Sequence, residues 1–268
     1  MDGTMNWKEA WAQKVGESER VSTPCYWNAR AKDYSAMVQT SDCNHGRKIV
    51  EYFLRQGILQ KNWSVLDIAS GPGAVTIPFA EQVQRVTAVE PAEEMAAQLR
   101  ENAQKRDLTN IDIIPQIWQD VNIADNARAY DMVICCHALW QFSDLIAQVR
   151  RMEAVSKGYC CLAHGIQSSE TQLKESLGLP VSDSSDEFFM AFNYLNDEGI
   201  IPNVNMLDYS LMWPVDAGIA SKERYVEKYR PLTDDDRSAI RSYIAQHTVD
   251  GIYHLPSRMG ILWWKAEP

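Results

Sequence analysis

Between residues 63 and 164, short apolar runs alternate with stretches of helical character, and this alternation constrains the fold more than any other feature. The apolar runs are WSVLDIA, RVTAVE, NIDIIPQ, YDMVICCHAL and GYCCLAH. They are apolar nearly throughout, as expected of parallel strands that helices cover on both faces. Helices are predicted near 74–83, 92–105 and 143–155. The pattern therefore predicts a doubly wound α/β sheet.

Two further strand-like runs lie near the end of the chain, NVNMLDYSLMW and SRMGILWWKA, and helical segments separate them. They could pair as an antiparallel partner of the parallel set. The expected architecture is a mostly parallel, seven-stranded sheet with an antiparallel edge strand.

Charge and hydropathy narrow the classes of partner. The chain has 268 residues, with 26 basic and 36 acidic side chains and a formal charge of −10. That balance disfavours nucleic acid as a partner. No apolar run approaches the roughly 20 residues that cross a bilayer, and the N-terminal segment does not resemble a secretory signal. We expect a cytoplasmic protein that acts on small molecules away from membranes, and its oligomeric state stays open.

The cysteines predict buried side chains more than a metal centre. No C-x-x-C motif and no ligand-like histidine spacing is present, so no metal site is expected. Neighbouring cysteines on a strand point to opposite faces, which places one side chain of each of the pairs 135–136 and 160–161 in a core as a small hydrophobic residue. A thiol site for a soft metal or metalloid is the alternative, and it would need cysteines such as Cys25 and Cys43 to converge.

The stretch VLDIASGPGAV, residues 65–75, joins the natural first strand to a small-residue turn. Gly71 and Gly73 allow the backbone to turn sharply and to approach a ligand closely. Glu90 ends the second strand, 23 residues beyond Asp67, where a carboxylate accepts hydrogen bonds from ribose hydroxyls. Two acids at strand ends and this turn describe a nucleoside site.

The turn itself argues against a dinucleotide. Thr76 occupies the place of the third glycine in G-x-G-x-x-G, and Pro72 has no amide hydrogen to offer a phosphate. The carboxylate of Asp67 would repel a diphosphate, whereas it suits a ligand with an ammonium group and a sulfonium centre. S-adenosylmethionine carries both groups.

The motifs DIASGPG, VTAVEP and YDMVICCHAL resemble the first, second and fourth motifs of class I S-adenosylmethionine-dependent methyltransferases. The similarity is greatest to the small-molecule group that includes the quinone-biosynthesis methyltransferases. YWNARAKDY, residues 26–34, resembles the N-terminal lid helix of that group. The resemblance spans roughly residues 26–165, and Ala69 stands where the family most often has glycine.

The resemblance implies a set of cofactor-binding residues: Asp67, Ala69, Gly71, Gly73, Glu90, Pro91, Trp118, Gln119 and His137. Asp67 and nearby carbonyls would hold the methionine amino group, and Glu90 would accept the ribose hydroxyls. Pro91 would pack on the adenine, and Trp118 with Gln119 would close the adenine pocket.

For the methyl acceptor, the lid-like segment predicts an aromatic wall of Tyr26, Trp27 and Tyr34, and Trp140 could line the same pocket. His137 would face the sulfonium and the incoming nucleophile. It is the candidate catalytic residue, as a general base, and a structural role at the strand terminus is the alternative.

The resemblance implies an N-terminal helical lid over 1–42 and a cofactor-binding core over 43–165. Residues 166–268 would complete the same domain with the last two strands and a helical substrate cap. The predicted function is methyl transfer to a small molecule by in-line displacement. A non-catalytic S-adenosylmethionine-binding protein, a thiol-assisted metalloid methyltransferase and, less favoured by the turn, a nicotinamide-dependent oxidoreductase are the alternatives.

Overall fold

A computed structural model of the protein describes residues 5–17, 23–168, 170–181 and 184–267. The strands are β1 (Ser64–Ile68), β2 (Arg85–Val89), β3 (Ile111–Ile114), β4 (Tyr130–Cys136), β5 (Ser156–Ser168), β6 (Asn203–Pro214), β7 (Thr248–Val249) and β8 (Ile252–Lys265). The helices are α1 (Trp7–Glu17), α2 (Pro24–Thr40), α3 (Asn44–Arg55), α4 (Thr76–Ala80), α5 (Glu93–Gln104), α6 (Leu145–Val155), α7 (Thr171–Ser176), α8 (Ser184–Asp197), α9 (Val215–Glu227) and α10 (Asp234–Gln246). Within the described ranges, no helix is long and apolar enough to cross a membrane.

The strands form one sheet in the order β3-β2-β1-β4-β5-β8-β6, and β7 pairs with β8. Strands β1 to β5 run parallel to one another. Strand β8 is antiparallel to both of its neighbours, β5 and β6. The predicted fold class is confirmed. The two-residue β7 makes eight strands instead of seven, and the antiparallel strand lies second from the edge because β6 pairs on its far side.

Burial of both faces explains why the strands are apolar nearly throughout. Along β4, Met132 and Ile134 belong to one core cluster, whereas Val133 and Cys135 belong to the cluster on the opposite face. The pair in β5 divides in the same way, with Cys160 and Cys161 on opposite faces. The prediction that neighbouring cysteines serve as small core residues is confirmed for this pair.

The helices before β1 cover the sheet and its ligand-binding end. Helix α1 is anchored where the indole Nε1 of Trp11 donates to the carbonyl of Phe142 (2.7 Å). Helix α2 begins at the N-cap Thr23 with Pro24 in its first turn, as fits a proline at a helix start. It packs against α5, α9 and β6. The described part of residues 1–42 is therefore helical, as predicted.

Candidate functional site

A cleft opens where β1, β2 and β4 end, the place where an α/β sheet of this kind binds its ligands. Its cavity volume is about 120 Å³. The lining residues are Pro24, Trp27, Tyr34, Ala69, Gly71, Glu90, Pro91, Met95, Ile117, Cys136, His137, Ala138 and Gln141. Most of the predicted cofactor and substrate positions are thus brought to one cleft.

The turn after β1 needs its small residues for different reasons. Ala69, Gly71 and Gly73 have φ values of 57°, 54° and 100°, in the left-handed region. A Cβ at Gly73 would lie 2.5 Å from Leu99 Cδ1, whereas one at Gly71 would meet only Tyr34, at 3.9 Å across the cleft. Gly73 therefore permits α5 to pack on the turn, and Gly71 keeps the cleft open. Ala69 tolerates a conformation that costs an L-residue about 1–2 kcal/mol.

The amides of this turn are already used within the protein. Ser70 N donates to the last carbonyl of β2 (3.2 Å), Gly71 N donates to Glu90 Oε2 (2.8 Å), and Gly73 N donates to the carbonyl of Ser70 (3.1 Å). Pro72 has no amide hydrogen. A diphosphate would find no free donor at these four positions, which supports the exclusion of a dinucleotide.

Glu90 ties the two ligand-binding loops together. Its Oε2 accepts from Gly71 N and its Oε1 accepts from Ala92 N, both at 2.8 Å. Burial raises the pKa of Glu90 above its usual value, while the two amide hydrogen bonds oppose that rise. Each carboxylate oxygen keeps further acceptor capacity, which two ribose hydroxyls could use.

Asp67 lies beneath the turn and is absent from the cleft lining. It is 1% exposed, and its Oδ2 accepts a hydrogen bond from Thr76 Oγ1 (2.6 Å). Burial raises the pKa of Asp67 to about 7. Thr76, which marks the missing third glycine of a dinucleotide motif, therefore has a positive role as the partner of this carboxyl group. The sequence pattern contains both residues but does not reveal their contact.

On the adenine side, the structure differs from the residue assignment that the family resemblance implies. Trp118 is buried in the core, with the Arg151 guanidinium 5.2 Å from its ring centroid. Gln119 is exposed and does not line the cleft, whereas Ile117 and Pro91 do. The cause is a short 3₁₀ turn over Trp118–Asp120, which carries Trp118 into the core and leaves Ile117 at the cleft.

The four aromatic residues predicted for the acceptor site divide into two pairs. Trp27 and Tyr34 line the cleft, with ring centroids 6.0 Å apart. Tyr26 and Trp140 lie beside it, and both rings face the Lys228 ammonium, at 5.3 and 6.0 Å. Trp140 also donates from Nε1 to the carbonyl of His137 (3.0 Å).

His137 follows β4 with a positive φ of 57° and lines the cleft. Its ring centroid lies 5.5 Å from that of His45 and 6.3 Å from that of His164. Its Nε2 is 3.4 Å from the Tyr209 hydroxyl. Burial, and then the two neighbouring histidines, hold the pKa of His137 well below its usual value. The ring is therefore neutral at physiological pH and a weak base.

Of the described cysteines, Cys136 alone lines the cleft. Cys25 is exposed on α2, and Cys43 is buried in the core cluster that contains Met37 and Val38. The convergence of cysteines that a metalloid site would require is not found among the lining residues of the cleft.

The cleft has the chemistry that S-adenosylmethionine needs. Trp27 lines the cleft, and its Nε1 is a buried polar atom without a hydrogen-bond partner, so it is available to a ligand. Glu90 offers the carboxylate for ribose, and Gly71 leaves the space that a Cβ would fill. These residues fit a nucleoside with a charged tail and no phosphates.

The sheet order, the turn whose amides are already hydrogen-bonded and the carboxylate at the end of β2 define a class, that of Rossmann-like nucleoside-binding proteins. Residues 65–157 match the family model described as a methyltransferase domain. This match agrees with the resemblance to class I S-adenosylmethionine-dependent methyltransferases. S-adenosylmethionine is the cofactor of that class.

Individual relatives share parts of the chain. A segment of 103 residues is 34% identical to the 23S rRNA (uracil(1939)-C(5))-methyltransferase RlmD of Psychromonas ingrahamii, over 33% of this chain and 23% of that enzyme. The chain thus spans less than a quarter of that relative's length.

Two solved structures share the fold at low sequence identity. YcgJ of Bacillus subtilis is similar with a TM-score of 0.51 and 16% identity, over 84% of this chain and 99% of that one. A candidate methyltransferase of Bacillus halodurans C-125 is similar with a TM-score of 0.52 and 14% identity, over 81% and 98% of the two chains.

Proposed function

We propose that the protein transfers the methyl group of S-adenosylmethionine to a small-molecule acceptor by direct in-line displacement. The observation that carries this proposal is the position of two aromatic side chains of α2: Trp27 and Tyr34 line the same cleft as Gly71 of the cofactor turn. An aromatic wall beside the cofactor site suits a planar or apolar small-molecule acceptor.

The chain's own residues would act mainly by position. When bound, S-adenosylmethionine supplies a methyl group on a sulfonium centre. Glu90 would hold the ribose, and the turn at Gly71 would set the depth of the adenosyl group. Trp27 and Tyr34 would exclude water and orient the acceptor. Correct alignment of two reactants can lower a barrier by roughly 7–11 kcal/mol at the extreme.

In this mechanism, His137 would contact the acceptor and would not transfer a proton. It lines the cleft, but its ring is a weak base because burial depresses its pKa. An acceptor whose nucleophilic atom is already neutral or deprotonated fits such a site. His137 would therefore shape the acceptor pocket and would not act as the general base.

An RNA acceptor is the competing proposal, since RlmD, whose name gives an rRNA substrate, shares one segment. The formal charge of −10 argues against it, because a nucleic-acid-binding surface must attract phosphates. A screen with methyl-labelled S-adenosylmethionine against a metabolite extract and against total RNA separates the two. Label transferred to RNA alone would refute the small-molecule proposal, and no transfer to either pool would favour a non-catalytic binding protein.

Substitution of two glycines tests whether the turn binds the cofactor. Gly71 and Gly57 both have positive φ, 54° and 67°, and neither has an atom within 3.4 Å of a built Cβ, but only Gly71 lines the cleft. Gly71→Leu and Gly57→Leu should both lower stability through backbone strain. Gly71→Leu alone should abolish S-adenosylmethionine binding in isothermal titration calorimetry. Wild-type affinity in Gly71→Leu would remove the assignment of the cleft.

A further inference from the structure

Three side chains with metal-binding atoms meet at the inner end of the cleft. His45, Cys136 and His137 each offer one nitrogen or sulfur atom, and these atoms all lie within 4.8 Å of one another. His45 comes from the first turn of α3, and the other two come from the end of β4. The spacing of 91 residues between His45 and Cys136 is why no ligand motif is visible in the sequence.

The convergence of Cys136 and His137 depends on backbone conformation. Neighbouring residues in a strand point to opposite faces of the sheet, so they cannot bind one ion while both are extended. Here β4 ends at Cys136, and His137 takes a φ of 57°, which departs from the extended conformation. A left-handed conformation at a non-glycine residue is uncommon and costs energy, and such residues concentrate at functional sites.

His45 adds an independent observation. It is 3% exposed, and its Nδ1 is a buried nitrogen without a hydrogen-bond partner. Buried polar groups in folded proteins nearly always have partners, because an unpaired one costs about 1–3 kcal/mol. A metal ion bound through Nδ1 would satisfy that nitrogen.

We propose that His45, Cys136 and His137 form a binding site for Zn²⁺. One thiolate and two imidazoles are a donor set that zinc prefers, with Zn–N near 2.0–2.1 Å and Zn–S near 2.3 Å. Tetrahedral coordination at those bond lengths places the donor atoms about 3.5 Å apart. The three donor atoms lie within 4.8 Å of one another, so they need to close by up to about 1.3 Å.

The site would keep one coordination position open, as zinc sites with three protein ligands do. Cys136 and His137 both line the cleft, so the open position would face the space assigned to the acceptor. Binding replaces the thiol proton of Cys136 with the metal ion and releases that proton to solvent. These three residues would bind zinc whether or not the protein transfers methyl groups.

Co²⁺ is a spectroscopic probe for the site. The Cys25→Ser protein is the parent, because that substitution removes the exposed thiol on α2. Stripped with a chelator and titrated with Co²⁺, the parent should bind one ion with a thiolate-to-metal charge-transfer band. Zn²⁺ should displace the cobalt and raise the melting temperature.

Two variants and one control test the ligands in the same parent. His45→Gln and Cys136→Ser should weaken Zn²⁺ binding at least tenfold, and Cys136→Ser should also abolish the charge-transfer band. His254→Gln changes a histidine outside the cluster and should bind as the parent does. Binding by both ligand variants within threefold of the parent would overturn the assignment.

A measurement on the unaltered chain covers the case in which a variant fails to fold. Zn²⁺ should slow alkylation of Cys136 at least tenfold, read by peptide mass spectrometry, and should leave the exposed Cys25 unaffected. Equal alkylation rates of Cys136 with and without Zn²⁺ would contradict the proposal.

Discussion

Gly46 allows α3 to lie directly on the backbone of the cofactor turn. A Cβ built at this residue would lie 2.1 Å from the carbonyl oxygen of Ala74 and 2.9 Å from Cα of Val75, where ordinary contacts begin at 3.4 Å. Gly46→Ala must therefore separate α3 from the turn by about 1 Å. Overpacking of this kind costs about 1–3 kcal/mol, and the better helix propensity of alanine returns up to about 1 kcal/mol.

Because the Cβ would overlap backbone atoms and not a flexible side chain, we expect a cost of about 2–3 kcal/mol and, after the gain of about 1 kcal/mol in helix propensity, a net loss of about 1–2 kcal/mol. This loss lowers the melting temperature by roughly 2–8 °C in a protein of this size. Cofactor affinity should fall at least tenfold, because the displaced backbone begins α4 and ends the turn.

Differential scanning fluorimetry and calorimetric titration with S-adenosylmethionine give the two readouts. Gly16→Ala is the matched control, since it is also a helical glycine but has no atom within 4 Å of its built Cβ. It should leave affinity unchanged and keep or raise the melting temperature. A Gly46→Ala protein with wild-type melting temperature and affinity would refute the packing argument.

Three further predictions concern the cleft. Burial raises the pKa of Asp67 to about 7 in the folded protein. The free energy of unfolding of the cofactor-free protein should therefore fall as pH rises from about 4 to about 7. Asp67→Asn should remove this pH dependence, as measured by urea titrations at several pH values. Glu90→Ala leaves two backbone amides without their acceptor. It should lower the free energy of unfolding by about 1–3 kcal/mol for each amide that stays buried, and it should abolish cofactor binding. An unchanged urea midpoint would contradict the role of Glu90 in joining the loops. Trp118→Ala should lower the free energy of unfolding by about 3–5 kcal/mol, because Trp118 is a core residue. Ile117→Asp should reduce cofactor affinity with little change in stability, because Ile117 lines the cleft. The reverse outcome would show that Trp118, and not Ile117, belongs to the adenine pocket.

The sheet and the cofactor end of the cleft could be predicted from the sequence because their signals are local. Continuous apolar runs indicate strands that are covered on both faces, and the pattern of Gly71, Gly73 and Glu90 has a fixed spacing along the chain. The helical segments expected between the last two strand-like runs are α9 and α10, and a capping box of Thr233 with Asp236 begins α10.

The rest of the site depends on contacts between distant segments. The inward turn of Trp118 depends on a 3₁₀ turn that no local pattern announces. The hydrogen bond between Asp67 and Thr76 needs the geometry of the glycine turn between them. The meeting of His45 with Cys136 and His137 needs both the packing of α3 and a left-handed residue after β4.

The position of β8 between β5 and β6 has a consequence for how the chain folds. Strand β6 joins the rest of the sheet only through β8 in the described strand order, and β8 pairs with a strand about 100 residues earlier. Closing so long a loop costs chain entropy before any of these hydrogen bonds form. Assembly of this side of the sheet should therefore be a slow kinetic phase, and deletion of β8 would release β6 while the five parallel strands keep their own pairings.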